Sequence, residues 1–202
     1  MKSIILIGNG GHCKSCIDVI ENSTNYNIKG LISKDLNHSE NFMNYRILGN
    51  DSNLLDHFSQ DDYGLIAVGQ IKSAKKRILL FNLLKKNKIL LATVKSKYSI
   101  VSSSASLGAG TITMHNSIIS AGAEIGMNCI LNTNSLVEHE VKIGNHCHIS
   151  TGAIINGGVT IGNESFIGSG CIIREGIKIG DNVVVSAGKV IMKDIPPNTV
   201  FK

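Results

Sequence analysis

The second half of the chain carries an apolar residue at every sixth position. The series runs Val101, Leu107, Thr113, Ile119, Ile125, Leu131, Val137, Ile143, Ile149, Ile155, Ile161, Ile167, Ile173, Ile179, Val185, Ile191, and only Thr113 departs from it. Within it an apolar-Gly pair returns every eighteen residues, at Leu107-Gly108, Ile125-Gly126, Ile143-Gly144, Ile161-Gly162 and Ile179-Gly180. Two places before the apolar position stands a mostly small residue, such as Ala105, Ser117, Ala123, Cys129, Ser135, Cys147, Ala153, Ser165 or Cys171. Six is neither a helical nor a hairpin period. A unit this short cannot bury its apolar side alone, so successive units must stack. Three units make one eighteen-residue coil of a triangular prism. The large apolar residue points to the axis and Gly or a small residue permits the corner turn. Residues eighteen apart then neighbour one another as parallel strands about 4.8 Å apart. The pattern predicts a parallel β-helix over residues 96–202.

Residues 1–95 follow a different rhythm. "SIILIGNG" is an apolar run ending in glycines, as a buried parallel strand would be. "GHCKSCIDVIEN" follows with helical spacing, and "NIKGLIS" and "YGLIAVGQ" read as further strands. "KSAKKRILLFNLLKKN" reads as an amphipathic helix with Ile78, Leu79, Phe81 and Leu84 near one side, and "ILLATV" as the strand after it. This alternation predicts a small Rossmann-like parallel α/β domain. "GNGGHC" approaches a dinucleotide fingerprint, but Cys13 takes the place of the third Gly, which argues against NAD. A glycine turn that opens a helix can instead receive a diphosphate on free N–H groups. Its bland alternative is a tight strand-to-helix turn with no ligand.

Three histidines and two glutamates crowd "LVEHEVKIGNHCHIS", residues 136–150. His139 lies two places after the axial Val137, with Glu140 beside it, and His148 precedes the axial Ile149. Neither needs to be a core residue. Reaction at an amine or hydroxyl acceptor requires removal of one proton, and an imidazole suits that task near neutral pH. A neighbouring carboxylate can orient the ring and raise its basicity. The residues alone leave His139 divided between general base and solvated corner. Metal is a third reading, since His115, His139, His146 and His148 are numerous enough for a zinc site. Their spacing does not favour it, because His115 and His139 are not separated by a multiple of eighteen.

Charge and composition narrow the classes. The formal charge of +5 suits anionic small molecules as well as nucleic acid, but no aromatic residues interleave with the basic ones to make a stacking platform for single strands. Lys72, Lys75, Lys76, Arg77, Lys85, Lys86 and Lys88 make one helix basic, ordinarily a solvated face. Its start, Lys72 to Arg77, could meet the phosphates of an anionic ligand. No stretch approaches a membrane span, and the N-terminal apolar run is too short and interrupted for a signal peptide. Five Cys without a secretory signal point to reduced thiols in the cytoplasm. The C-x-x-C at Cys13-Lys14-Ser15-Cys16 reads as incidental on its helix.

The hexapeptide pattern resembles the left-handed β-helical acyltransferases, and the handedness follows from that resemblance. "GNGGHCKSCIDVI" followed by repeats carrying "LNTNSLVEHE" is similar to the bacterial sugar acetyltransferases of the bacillosamine and perosamine pathways, with the sialic acid O-acetyltransferases as relatives. The resemblance covers nearly the whole chain. It implies a homotrimer that binds acetyl-CoA in clefts between prisms, uses no metal, and N-acetylates a UDP- or GDP-linked amino sugar. The alternative it carries is O-acetylation of sialic acid or another sugar hydroxyl. It implies nucleotide-sugar contacts from Gly8, Gly10, Gly11, His12, Gly69 and Gln70, with Asn132 near the acceptor sugar. The catalytic His and its activating Glu fall at His139 and Glu140. A His contacting acetyl-CoA falls at His148, with further CoA-lining positions at Gly157, Ser169 and Ala187. Three departures stand out. Relatives carry paired acids after the second strand, where this chain has only Asp35. Gln70 replaces their Asn. The sequence ends at "IPPNTVFK", where relatives continue through a Gly-x-Pro-Ala turn, so a CoA contact from that tail is absent or the sequence is shortened.

Overall fold

A computed structural model describes residues 1–23, 25–34 and 41–202. Asp35 lies outside the described residues. The N-terminal domain runs β1 (Lys2–Ile7), α1 (Gly11–Glu21), β2 (Tyr26–Ser33), β3 (Asn41–Phe42), β4 (Tyr45–Asn50), a 3-10 helix (Leu54–His57), β5 (Tyr63–Ile66), α2 (Lys75–Lys86) and β6 (Leu90–Leu91). Its sheet order is β3-β4-β2-β1-β5-β6, with every pair parallel except β3–β4. Ile4 to Ile7 of β1 are buried because that strand has neighbours on both edges and a helix on each face. The β3–β4 hairpin has no counterpart in the sequence reading. Its turn uses Met43 and Asn44 at φ 50 and 66, without the glycine that usually signals such a turn.

The helix α2 buries a different face from the one its apolar spacing suggests. Arg77, Leu80, Phe81 and Leu84 are buried, whereas Leu79 is 67% exposed. The i, i+3, i+4, i+7 stripe therefore starts on a charged residue, which an apolar count passes over. The helix α1 packs Cys13, Cys16, Ile17, Val19 and Ile20 into a core that continues into Val94, Ile112, Met114 and Ile130, so the two domains share buried surface.

From Val94 the chain forms two-residue parallel strands that pair eighteen residues apart, as in Ile118↔Leu136, Glu124↔Lys142 and Ile130↔His148. The six-residue series points inward, and its members from Ile119 to Ile191 are buried in one continuous column. Thr113 joins that column by bonding its hydroxyl to Ser99 Oγ at 2.9 Å near the top of the prism. Corners recur with the same period. Gly110, Asn116, Gly122, Asn128, Asn134, Glu140, His146, Gly152, Gly158, Glu164, Gly170, Gly176, Asn182 and Gly188 all have φ between 53 and 78. Gly and Asn are the residues that tolerate this left-handed conformation. The exceptions are Glu140, His146 and Glu164, each of which recurs below at the site or the domain joint.

The outward strand residues sort the prism into three unlike faces. One bears Val94, Ile112, Ile130, His148 and Phe166 and is covered by the N-terminal domain. The second bears Ser106, Glu124, Lys142, Thr160 and Lys178 and is polar. The third bears Ile100, Ile118, Leu136, Ile154, Ile172 and Val190, an aliphatic ladder with no covering element among the described residues.

Candidate functional site

The first concavity is a cavity of about 880 Å³ between the domains. It starts at the turn after β1. Gly8 has φ 127, and a Cβ there would lie 3.1 Å from the Ala67 backbone, so this turn requires glycine. Gly10 caps α1 without a side-chain hydrogen bond, and no acidic residue occupies the first turn, so the leading N–H groups stay available. A Cβ on Gly10 or Gly11 would meet nothing within 4 Å. Gly69 and Gln70, just beyond β5, form the facing wall, and Asn132 and His148 of the prism close the cavity from below. Lys34 and the Lys76–Asp51 ion pair, at 3.2 Å, stand among the lining residues.

The cavity's imidazoles are held neutral. His148 is 6% exposed, although it occupies an outward strand position, because the N-terminal domain covers it. Its Nδ1–H donates to the Gln70 carbonyl at 2.7 Å, and the Asn132 amide donates to Nε2 at 3.0 Å. Burial pushes its pKa down to about 4, opposed by the Gln70 bond and assisted by the Arg77 charge. His12 lies 6.4 Å from it, ring to ring, with the Cys16 thiol 3.5 Å from His12 Nε2. Burial and the Arg77 charge lower His12 to about 3. Gln70 donates Nε2–H to the Glu164 carbonyl at 3.3 Å, while its Oε1 is buried without a partner.

The second concavity is a groove of about 660 Å³ at another corner of the prism. It is lined by Glu138, His139, Glu140, Asn156, Gly157, Gly158, Glu175 and Gly176 and shares no residue with the first. The side chains of His139 and Glu140 are 65% and 80% exposed, with Nδ1 and Oε2 3.7 Å apart, longer than a hydrogen bond. The ring lies over Gly157, where a Cβ would come within 2.6 Å of its Cε1 and 2.7 Å of its Nε2. Glycine is thus the seat of the imidazole. No Cβ obstructs the groove at Gly158 or Gly176. Glycine-floored and open along the prism axis, it suits an extended thioester carrier.

The structure brings Gly8, Gly10, Gly11, His12, Gly69, Gln70, Asn132 and His148 together around the first cavity. His139, Glu140 and Gly157 meet at the second. Ser169 and Ala187 line neither. They are exposed on the corner that carries Thr133 and Thr151, one coil apart, and Ser169 bonds Ser150 at 2.9 Å. His148 stands with the residues of the first cavity, away from His139. Arg77, read as part of a solvated basic run, is buried. Of the histidines weighed for a metal, His115 bonds Ser96 and Asp18, and His146 lies against Asn128. Among the described residues no group of three His, Cys, Asp or Glu converges to hold a metal. Sequence reasoning missed Glu138, Asn156, Glu175, Thr133 and Thr151. Steps of eighteen from His139 and Thr133 reach Glu175 and Thr151, so the repeat itself held that signal.

Fold and site together define a hexapeptide-repeat transferase. Residues 140–175 match the model for the bacterial transferase hexapeptide of six repeats, and residues 158–193 that for the hexapeptide repeat of succinyl-transferase. Residues 3–79 match the PglD N-terminal domain. In joining this N-terminal domain to a left-handed hexapeptide β-helix the chain resembles the bacillosamine and perosamine acetyltransferases. The acetyltransferase domain of PglB from Neisseria gonorrhoeae FA1090 is 26% identical, with a TM-score of 0.89 over 97% of this chain and 94% of that one. The same domain in complex with acetyl coenzyme A is 27% identical, with a TM-score of 0.88 over 96% and 93%. PerB from Caulobacter crescentus, in complex with CoA and GDP-perosamine, is 26% identical, with a TM-score of 0.89 over 98% and 92%. No curated protein matches the chain by sequence.

Proposed function

We propose that the protein is an acetyl-CoA-dependent N-acetyltransferase of a nucleotide-linked amino sugar, working as a homotrimer in the cytoplasm. The observation that carries the reading is the exposed His139 imidazole seated on Gly157 beside carboxylates, on an open glycine-floored edge. The PglB domain binds acetyl-CoA and PerB binds CoA and GDP-perosamine, both on this fold.

The aliphatic ladder supports the trimer and assigns the parts. Along one coil the chain passes Asn132 and Thr133 at the cavity, then Leu136–Val137 of the ladder face, then His139. Cavity and base therefore flank opposite edges of one apolar face. Copies arranged around a threefold axis and joined through that face would set the His139 edge of one against the cavity edge of the next. The junction cavity holds the nucleotide, with neutral His12 and His148 as hydrogen-bonding groups. His139 takes the amine proton as nitrogen attacks the thioester carbonyl carbon. The C–N bond forms, the C–S bond breaks, and CoA leaves as the thiol by taking that proton back from His139. Glu140 orients the ring, and Gly157, Ser169 and Ala187 leave room for the CoA arm. Five free cysteines fit a reducing compartment. Among the described residues no helix is long and apolar enough to cross a membrane.

The test offers acetyl-CoA with UDP- and GDP-linked amino sugars and their hydroxyl-bearing counterparts, reading thiol release and product mass. Acetylation of an amino sugar is expected. Turnover confined to hydroxyl acceptors would transfer the reading to O-acetylation, and no thiol release with any acceptor would end it. His139→Ala should lose about 100-fold or more in kcat while remaining folded.

A further inference from the structure

The helix α2 hides a cation. Arg77 is 1% exposed. Its Nη1 donates to the carbonyls of Ile66 and Val68, at 3.2 and 2.7 Å. Its Nη2 donates to the Asn128 carbonyl at 2.6 Å and to Asn128 Oδ1 at 2.8 Å. Asn128 returns an amide bond to the Arg77 carbonyl at 3.4 Å and lies 3.0 Å from His146 Nδ1. It stands at a left-handed prism corner, φ 54, and is fully buried. The guanidinium Nε is buried without a partner. Among the described residues no carboxylate pairs with this charge. A buried cation ordinarily requires an anion, and here neutral oxygens take that place.

The geometry links two parts of the cavity. Ile66 and Val68 lead directly into Gly69, Gln70 and Ile71, and Ala67 to Ile71 are one wall of it. Asn128 belongs to the prism, which supplies the floor. One planar fork therefore fastens wall to floor through four acceptors. Its charge reaches the cavity as well, since it depresses both His12 and His148. Burial brings Arg77 itself down to about 10, still cationic at neutral pH.

We propose that Arg77 is the positioning residue of the junction cavity, fixing the Ala67–Ile71 wall against the prism and placing an uncancelled positive charge behind it, so that the cavity is preset for a diphosphate. This rests on the nucleotide-sugar reading above. Calorimetry with UDP, GDP, the parent nucleosides and CoA on wild type, Arg77→Met and Arg77→Lys separates the two. Wild type that binds neither diphosphate would sink the nucleotide-sugar reading itself. With wild-type binding established, Arg77→Met should weaken the diphosphate about tenfold or more, and the nucleoside less, while CoA stays within about twofold. Arg77→Lys should recover part of the loss, because it keeps the charge and lacks the fork. Unchanged diphosphate affinity in Arg77→Met, or an equal loss for CoA, would overturn the inference. Should Arg77→Met not fold, Asn128→Gly keeps the corner conformation and removes the Oδ1 acceptor. It should weaken the diphosphate in the same direction, and unaltered binding there would overturn the inference equally.

Discussion

At Gly157 a single methyl group decides where an imidazole can lie. The backbone there is not left-handed, so alanine is tolerated by the chain itself, but its Cβ would sit 2.6 Å from His139 Cε1. The exposed ring would move rather than the coil. Gly157→Ala should therefore change unfolding free energy by less than about 0.5 kcal/mol and lower kcat about tenfold to 100-fold, as misplacement of about an ångström does. A variant with native kcat would show that the ring's seat is irrelevant to turnover. His148 makes a different prediction. Its folded value of about 4 lies below the ordinary 6.5 of the unfolded chain. Between those values the unfolded chain binds more protons, so stability is level above pH 6.5 and falls as pH drops toward 4. The loss from this one group is on the order of 3 kcal/mol. Denaturation midpoints across that range should show the decline, and His148→Gln should make it shallower, leaving the part that His12 contributes; an unaltered slope would assign the decline to other groups. The two histidines also differ in how readable they were. His139 announced itself because Glu140 occupies a corner that glycine fills at 122, 158 and 176. His148 has an unremarkable outward register position, and what covers it comes from residue 70, which spacing along the prism cannot reveal.

Two-residue strands carry the prism, and each has one inward and one outward member. Thr160–Ile161 isolates the difference, because its outward residue faces solvent on the polar side. Ile161→Ala opens a gap in the buried column and should cost about 2–5 kcal/mol, whereas Thr160→Ala should cost under about 1 kcal/mol. Urea unfolding of the two variants checks this, and equal costs would contradict the register. The inward series was legible because period six survives over the whole prism and each match constrains its neighbours eighteen residues away. The N-terminal elements were legible only in kind. Their strands announced themselves as apolar runs, but the β3–β4 hairpin turns on Met43-Asn44, which carry weak turn chemistry. The helix α2 misled by its apolar positions, since the residue that anchors its buried stripe is Arg77. Composition treats such an arginine as solvated; only the carbonyls of Ile66, Val68 and Asn128 make its burial possible.

For the whole molecule, the cavity and the His139 groove stand on either side of one aliphatic face. If each site combines His139 of one copy with the cavity of the next, two inactive variants can complement. His139→Ala removes the base and leaves the cavity. Gly10→Trp fills the cavity and leaves the base; position 10 has extended φ −92 and ψ −172, and its Cβ would meet nothing within 4 Å, so the fold should tolerate the ring. In a one-to-one mixed trimer, a site is whole only where a Gly10→Trp copy lends its His139 to the cavity of a His139→Ala copy. That occurs for about a quarter of the sites under random assembly. Co-expression of the two variants should then restore about a quarter of wild-type turnover, from parents that each have almost none. Adding Ile172→Glu to both variants buries charge in the ladder face, so it should yield monomers by light scattering and abolish the recovery. Absence of any recovery from well-mixed trimers would place base and cavity in the same copy, and the aliphatic face would then have to serve some purpose other than bringing them together.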